Sequence, residues 1–126
     1  MQYDVYLNPS PQSKNIYPYV NDVQSDLLSF LKTRMTVPLK SYKSRVDSPK
    51  NLTPIFNVLG EDMLFISFFA QAMDKKHLKK SICSLNQHAS EIATAMNCLL
   101  SGIWALKDGE GICDNLKPVH VSDNWQ

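Results

Sequence analysis

The side chains that could carry chemistry are few and scattered. Histidine occurs at His77, His88 and His120, far apart in sequence and outside any HExxH pattern. Nor is there a Gly-rich phosphate loop or a GxSxG elbow. His88 falls in the first turn of a predicted helix, where the macrodipole disfavours a cation, so it reads as a neutral surface residue. Glu61 beside Asp62 could be a carboxylate pair for acid–base work. Directly after Gly60, however, both read first as hairpin-turn residues. Lys75, Lys76, Lys79 and Lys80 could meet phosphate. They lack an interleaved aromatic platform and read instead as a solvated edge that discourages strand aggregation. Arg34 and Arg45 could offer a cation to a phosphoryl transition state, but no acid–base cluster stands beside them. Cys83, Cys98 and Cys113 are odd in number with no CxxC spacing. A zinc site or disulfide framework is not expected, and Cys98 reads as a small packing residue. No cofactor or metal is predicted.

The elements that must position these residues make up one domain of 126 residues, 44% hydrophobic and 20% charged, with net charge +1. A charge so near zero gives no strong field toward nucleic acid or a membrane, and no run approaches a membrane span. Met1-Gln-Tyr-Asp-Val-Tyr6 has neither the basic nor the apolar region of a signal peptide, which predicts a reducing cytoplasmic setting.

Gln2 to Leu7 alternates, predicting a strand with Tyr3, Val5 and Leu7 inward. Asn8 to Asn15, with two prolines, is a loop. Ile16 to Val23 returns as a second strand, and Leu27-Leu28 form an apolar pair at the edge of a polar turn. Arg34 to Leu39 is a third strand with Met35, Val37 and Leu39 inward, and Pro38 argues for an edge or a bulge. Lys40 to Thr53 is a loop. Ile55–Leu59 and Met63–Phe69 form a hairpin around Gly60-Glu61-Asp62, the second strand apolar enough to lie centrally. Ser84 to Ile103 is the one long periodic helix, with Ile92, Met96, Leu99, Leu100 and Ile103 on one face. Ser84 and Gln87 fit a capping box, and Gly102 fits the C-terminal cap. The pattern predicts about five antiparallel strands in a small barrel or curved sheet, closed by the helix. Residues 104–126 read as a flexible extension of that 1–103 domain.

Several blocks, in order, resemble the CcdB family of toxins from bacterial type II toxin–antitoxin modules. They are Met1-Gln-Tyr-Asp-Val-Tyr6, Asp22-Val-Gln-Ser-Asp26 within Tyr19–Leu28, Arg34-Met-Thr-Val-Pro-Leu39, Leu52-Thr-Pro-Ile55 and the helix ending Gly102-Ile103. The resemblance spans residues 1–103 with a longer loop near 41–50. It implies a mainly β fold with one C-terminal helix, an SH3-like β-barrel shared with the Kid and MazF toxins. It also implies a homodimer that inhibits DNA gyrase by binding its A subunit and trapping the cleaved-DNA complex. A cognate CcdA-like antitoxin would neutralise it, and the pair would repress their operon, touching operator DNA only as that complex. No catalysis is implied.

Carried over by position, the gyrase contacts fall on Leu27, Leu28, Asn97, Leu100, Ser101, Gly102 and Ile103. Leu27 and Leu28 stand for two isoleucines and Leu100 for a phenylalanine. Ser101 replaces a tryptophan of the plasmid-borne toxin, a residue type that anchors interfaces. The family pattern ends at Gly-Ile, whereas this chain runs 23 residues further, with Trp104 first after Ile103. Two alternatives follow: a relative that has lost poisoning but still binds antitoxin, and a MazF/Kid-like endoribonuclease on the same barrel.

Overall fold

The computed structural model describes residues 1–43 and 51–101. Among them the chain forms seven short strands: β1 (Asp4–Leu7), β2 (Tyr19–Asp22), β3 (Thr33–Ser41), β4 (Ile55–Val58), β5 (Glu61–Phe65), β6 (Gln71–Asp74) and β7 (Cys83–Ser84). One helix, α1 (Ala89–Ser101), follows. All pairings are antiparallel, in the order β4-β5-β3-β2-β1-β7, and β6 also pairs with β3. The sheet curls into a nearly closed barrel, with α1 packed on its core.

β3 is the longest strand and the spine of the sheet. One side pairs with β2 throughout Thr36–Leu39. The other pairs first with β6, at Thr33–Thr36, and then with β5, at Leu39–Ser41. Pro38 sits in the gap between those two partners. Its carbonyl accepts from the Ile66 amide at 3.1 Å. A strand residue's N–H and C=O point the same way, so the missing proline N–H faces the place where no ladder bond is needed. The expectation of an edge strand from Pro38 is thereby corrected: a central strand tolerates proline where its partner changes.

The hairpin turn is also shifted. Val58 pairs with Glu61, which leaves Leu59 and Gly60 as the central residues, at φ 52° and 87°. Two positive φ values are the signature of the type I′ turn that suits the twist of a hairpin. Glu61 and Asp62 therefore begin β5 rather than form the turn. The predicted strand Met63–Phe69 stops at Phe65, and Ser67–Phe69 form a 3-10 turn whose serine hydroxyl donates to the Leu52 carbonyl.

The core gathers Val5, Val37, Leu39, Phe56, Met63 and Phe65 from the sheet, with Leu85, Ile92 and Ala95 from the C-terminal part. Phe56 and Phe65 meet edge to face at 5.6 Å. Met63, Leu64 and Phe65 are all buried, as a central strand requires. Leu7 is 65% exposed, against expectation: β7 pairs only with Asp4 and Val5, so the end of β1 runs past the core. Met35 is likewise exposed.

α1 is shorter than the sequence pattern suggests. Ser84 ends β7, and its hydroxyl accepts from the Asn86 amide at 3.1 Å, so the capping box with Gln87 does not form. A 3-10 turn at Asn86–His88 leads into the helix. The buried face is Ile92, Ala95 and Cys98, with Met96 and Leu99 partly covered. Small Ala95 and Cys98 let the helix lie close to the sheet. Leu100, read from sequence as part of the inward stripe, points to solvent at 79% exposure. Gly102, Ile103 and the 104–126 extension lie outside the described residues. The helix is not long and apolar enough to cross a membrane.

Candidate functional site: an apolar contact surface

Two groups of side chains offer themselves to a partner. The first is the last turn of α1. Asn97, Leu100 and Ser101 are all exposed and lie at i, i+3 and i+4, so they share a face. The Ser101 hydroxyl donates to the Asn97 carbonyl at 2.7 Å. That bond closes the end of the helix backbone and leaves the Leu100 side chain as the apolar point.

The second group stands on a 3-10 turn at Asp26–Leu28. Leu27 is 87% exposed and Leu28 43%. The turn is held from beneath by the stretch that leads into it. Asp22 and Arg34 are nearly fully buried, and Arg34 Nε donates to Asp22 Oδ2 at 2.8 Å. Arg34 Nη2 donates to the Gln24 carbonyl at 2.9 Å and to Asp26 Oδ1 at 3.1 Å. Burial opposes the Arg34 charge, but the hydrogen bond and field of Asp22, seconded by Asp26, outweigh it and raise its pKa. Asp22 Oδ1 accepts from the Gln24 amide, and Gln24 Nε2 donates to the carbonyls of Leu28 and Thr33. Ser25 caps the turn by accepting from the Leu27 amide at 3.2 Å. Asp22-Val-Gln-Ser-Asp26 is thus a structural bracket: each of its polar side chains fixes the backbone that presents Leu27 and Leu28. The sequence reading saw the motif but not this work. Spacing alone cannot show that Arg34, eight residues beyond Asp26, reaches back to it.

The same reading also passed over Phe30 and Leu31, which are 76% and 39% exposed. The available signal was a second apolar pair one residue after Leu27-Leu28 in an otherwise polar stretch.

Among the described residues the remaining reactive side chains do not assemble into a centre. His88 is not a free surface residue. Its ring stacks on Phe56 at 4.7 Å, and its Nδ1 lies 2.9 Å from Glu91 Oε1. Glu61 and Asp62 are successive strand residues and face opposite sides. The Ser41 hydroxyl donates to Glu61 at 3.3 Å, and the Asn57 side-chain amide donates to Asp62 at 3.3 Å. Lys75 and Lys76 follow β6, which pairs only with β3, and Lys75 Nζ donates to the Ser29 carbonyl at 3.1 Å. Lys76, Lys79 and Lys80 are exposed. Arg45 and His120 lie outside the described residues. Among the described residues no three His, Cys, Asp or Glu groups could share a metal ion. An open groove of about 490 Å³ between the start of α1 and the segment before β4 has Glu91 as its one titratable liner among the described residues. Cys98 is buried against Leu52, as a packing residue should be. Cys83 is free, and burial, seconded by Asp4, raises its thiol pKa.

Two comparisons bear on this surface. A family model described as CcdB protein matches residues 2–102. No curated protein matches the chain.

Proposed function

The chain belongs to the CcdB protein family, a membership that supports a toxin role in a toxin–antitoxin system, and from that premise we propose that it acts on DNA gyrase. In this reading the chain binds the gyrase A subunit and holds the enzyme on cleaved DNA, so that double-strand breaks persist. It needs no catalytic group of its own, because the bond-breaking is the gyrase's. Binding energy that favours the cleaved complex over the resealed one is sufficient. The contact set is Leu27, Leu28, Asn97, Leu100, Ser101, Gly102 and Ile103, presented by a homodimer in the cytoplasm. A CcdA-like antitoxin that folds onto the toxin neutralises it, and the complex represses its operon.

The observation that carries the reading is the exposure of the transferred apolar positions. Leu27 and Leu100 are 87% and 79% exposed, on backbone that hydrogen bonds hold in place. Large apolar side chains displayed in this way suit a partner surface. Ser101 removes the ring that would anchor the helix tip, which weakens the contact without changing its kind. The endoribonuclease reading is weakened among the described residues: Arg34 is buried and committed to Asp22 and Asp26. The test is purified protein added to gyrase, ATP and supercoiled plasmid, with denaturing arrest and electrophoresis. Linear DNA accumulating with protein concentration is the expected result. Inhibition of supercoiling without cleaved DNA, or no effect at all, overturns the proposal. RNA cleavage by the protein alone would put the endoribonuclease in its place.

A further inference from the structure

The chain has five phenylalanines. Phe56 and Phe65 are fully buried, and Phe68 and Phe69 are partly buried and packed edge to face at 5.4 Å. Phe30 alone stands in solvent, at 76% exposure. It stands two residues past the Asp26–Leu28 turn, with Ser29 between, so Leu27, Leu28, Phe30 and Leu31 put four large apolar side chains within five residues, all at least 39% exposed. Isolated exposed leucines need no explanation, but a clustered, aromatic-containing patch does.

The backbone that carries this patch is pinned on both flanks. The Leu28 amide donates to the Ser25 carbonyl at 3.0 Å, Ser29 to Asp26 at 3.1 Å and Leu31 to Leu28 at 3.1 Å. From outside the turn, Lys75 Nζ donates to the Ser29 carbonyl at 3.1 Å, and the Lys75 amide to the Lys32 carbonyl at 3.0 Å. Phe30 therefore sits between two residues whose carbonyls are tied to the end of β6. A segment fixed in this way loses little backbone freedom when a partner covers it. Phenylalanine adds a large contact area with only two side-chain torsions to freeze.

We propose that Phe30, with Leu31 beside it, is a further contact residue for the gyrase A subunit, extending the surface that Leu27 and Leu28 begin. The inference rests on the gyrase reading above and deepens it. In this chain an aromatic ring stands just past the 3-10 turn, while the helix tip carries Ser101. The occupant is the gyrase A subunit because Phe30 is continuous with Leu27 on one short rigid turn. A partner that covers Leu27 meets the ring two to three residues on.

The test is direct binding of purified gyrase A subunit to the full chain and to its Phe30→Ala and Phe30→Trp variants. Melting temperature and mass in solution are read on each. The ring is exposed, so Phe30→Ala is expected to fold and melt like the parent. Its affinity is expected to fall by about tenfold or more, and Phe30→Trp is expected to bind at least as well as the parent. If the parent binds and Phe30→Ala binds within twofold of it, this inference fails while the gyrase reading stands. If the parent does not bind at all, both fail. If Phe30→Ala changes the mass in solution and leaves gyrase affinity intact, the ring belongs to a contact between copies of this chain, and the inference is overturned.

Discussion

Replacing Arg34 by methionine tests the idea that a buried charge cluster holds the contact turn in place. Methionine keeps most of the side-chain volume and removes the guanidinium. In the parent, Arg34 supplies the 2.8 Å bond to Asp22 and the 2.9 and 3.1 Å bonds to Gln24 and Asp26. Asp22 is 1% exposed, so in Arg34→Met its carboxylate stays buried, with the Gln24 amide at 3.1 Å as its hydrogen-bond donor and the exposed Met1 ammonium at 3.6 Å as its remaining counter-charge. Removing one partner of a buried pair costs about 3–5 kcal/mol, most of it the unpaired charge that remains. Asp26 is half exposed and can recover water, and the Met1 ammonium still faces Asp22, so the lower end, about 3 kcal/mol, is the appropriate figure. For a domain of this size that is a fall in Tm on the order of 10 °C. The assay is urea and thermal unfolding of purified protein near pH 7. Asp22→Asn in the Arg34→Met background removes the buried carboxylate charge that has lost its main partner and should restore part of the loss. A single-variant cost below about 1 kcal/mol, or a double variant no more stable than the single, refutes the reasoning.

Three further outcomes follow. Leu100→Glu should change stability by no more than about 0.5 kcal/mol, because the side chain is already in water, while gyrase binding falls sharply; circular-dichroism melts and a binding titration separate the two effects. Gly60→Ala should cost about 1–2 kcal/mol by chemical denaturation. Gly60 has φ 87° and nothing lies within 4 Å of an added Cβ, so the cost is backbone strain rather than a clash. Stability should fall as pH rises above about 9, measured as Tm against pH. Burial and then Asp4 raise the Cys83 thiol above its ordinary 9.0. Burial raises Tyr6 and Tyr17 above 10.0, with Asp4 the next contributor at Tyr6. Each group keeps its proton longer in the folded chain, so between the unfolded and folded values the unfolded chain holds fewer protons and gains on the folded one. Cys83→Ser should flatten the earliest part of that decline.

The fold was readable where local pattern and burial agree. Val5, Val37, Leu39 and Met63–Phe65 alternate or run apolar in the sequence, and they are buried in the barrel. The misreadings share one cause: the deciding partner is distant in sequence. Pro38 looks like an edge residue until β5 and β6 are both placed along β3. Leu100 looks inward until the helix docks through the smaller Ala95 and Cys98. Ser84 looks like a helix cap until β7 pairs with β1. The proposed contact surface was suggested only by resemblance, because exposure of an apolar residue is a property of the whole fold. Leu27 and Leu28 were assigned by position in the family pattern, and the structure shows both exposed. Phe30 was missed because nothing in its local sequence says that its ring stays in water.

The most direct measurement is growth after induced expression in two hosts, one with wild-type gyrase and one whose gyrase A subunit resists CcdB. Loss of viability only in the wild-type host is the predicted result. Equal killing in both hosts, or killing in neither, contradicts the account.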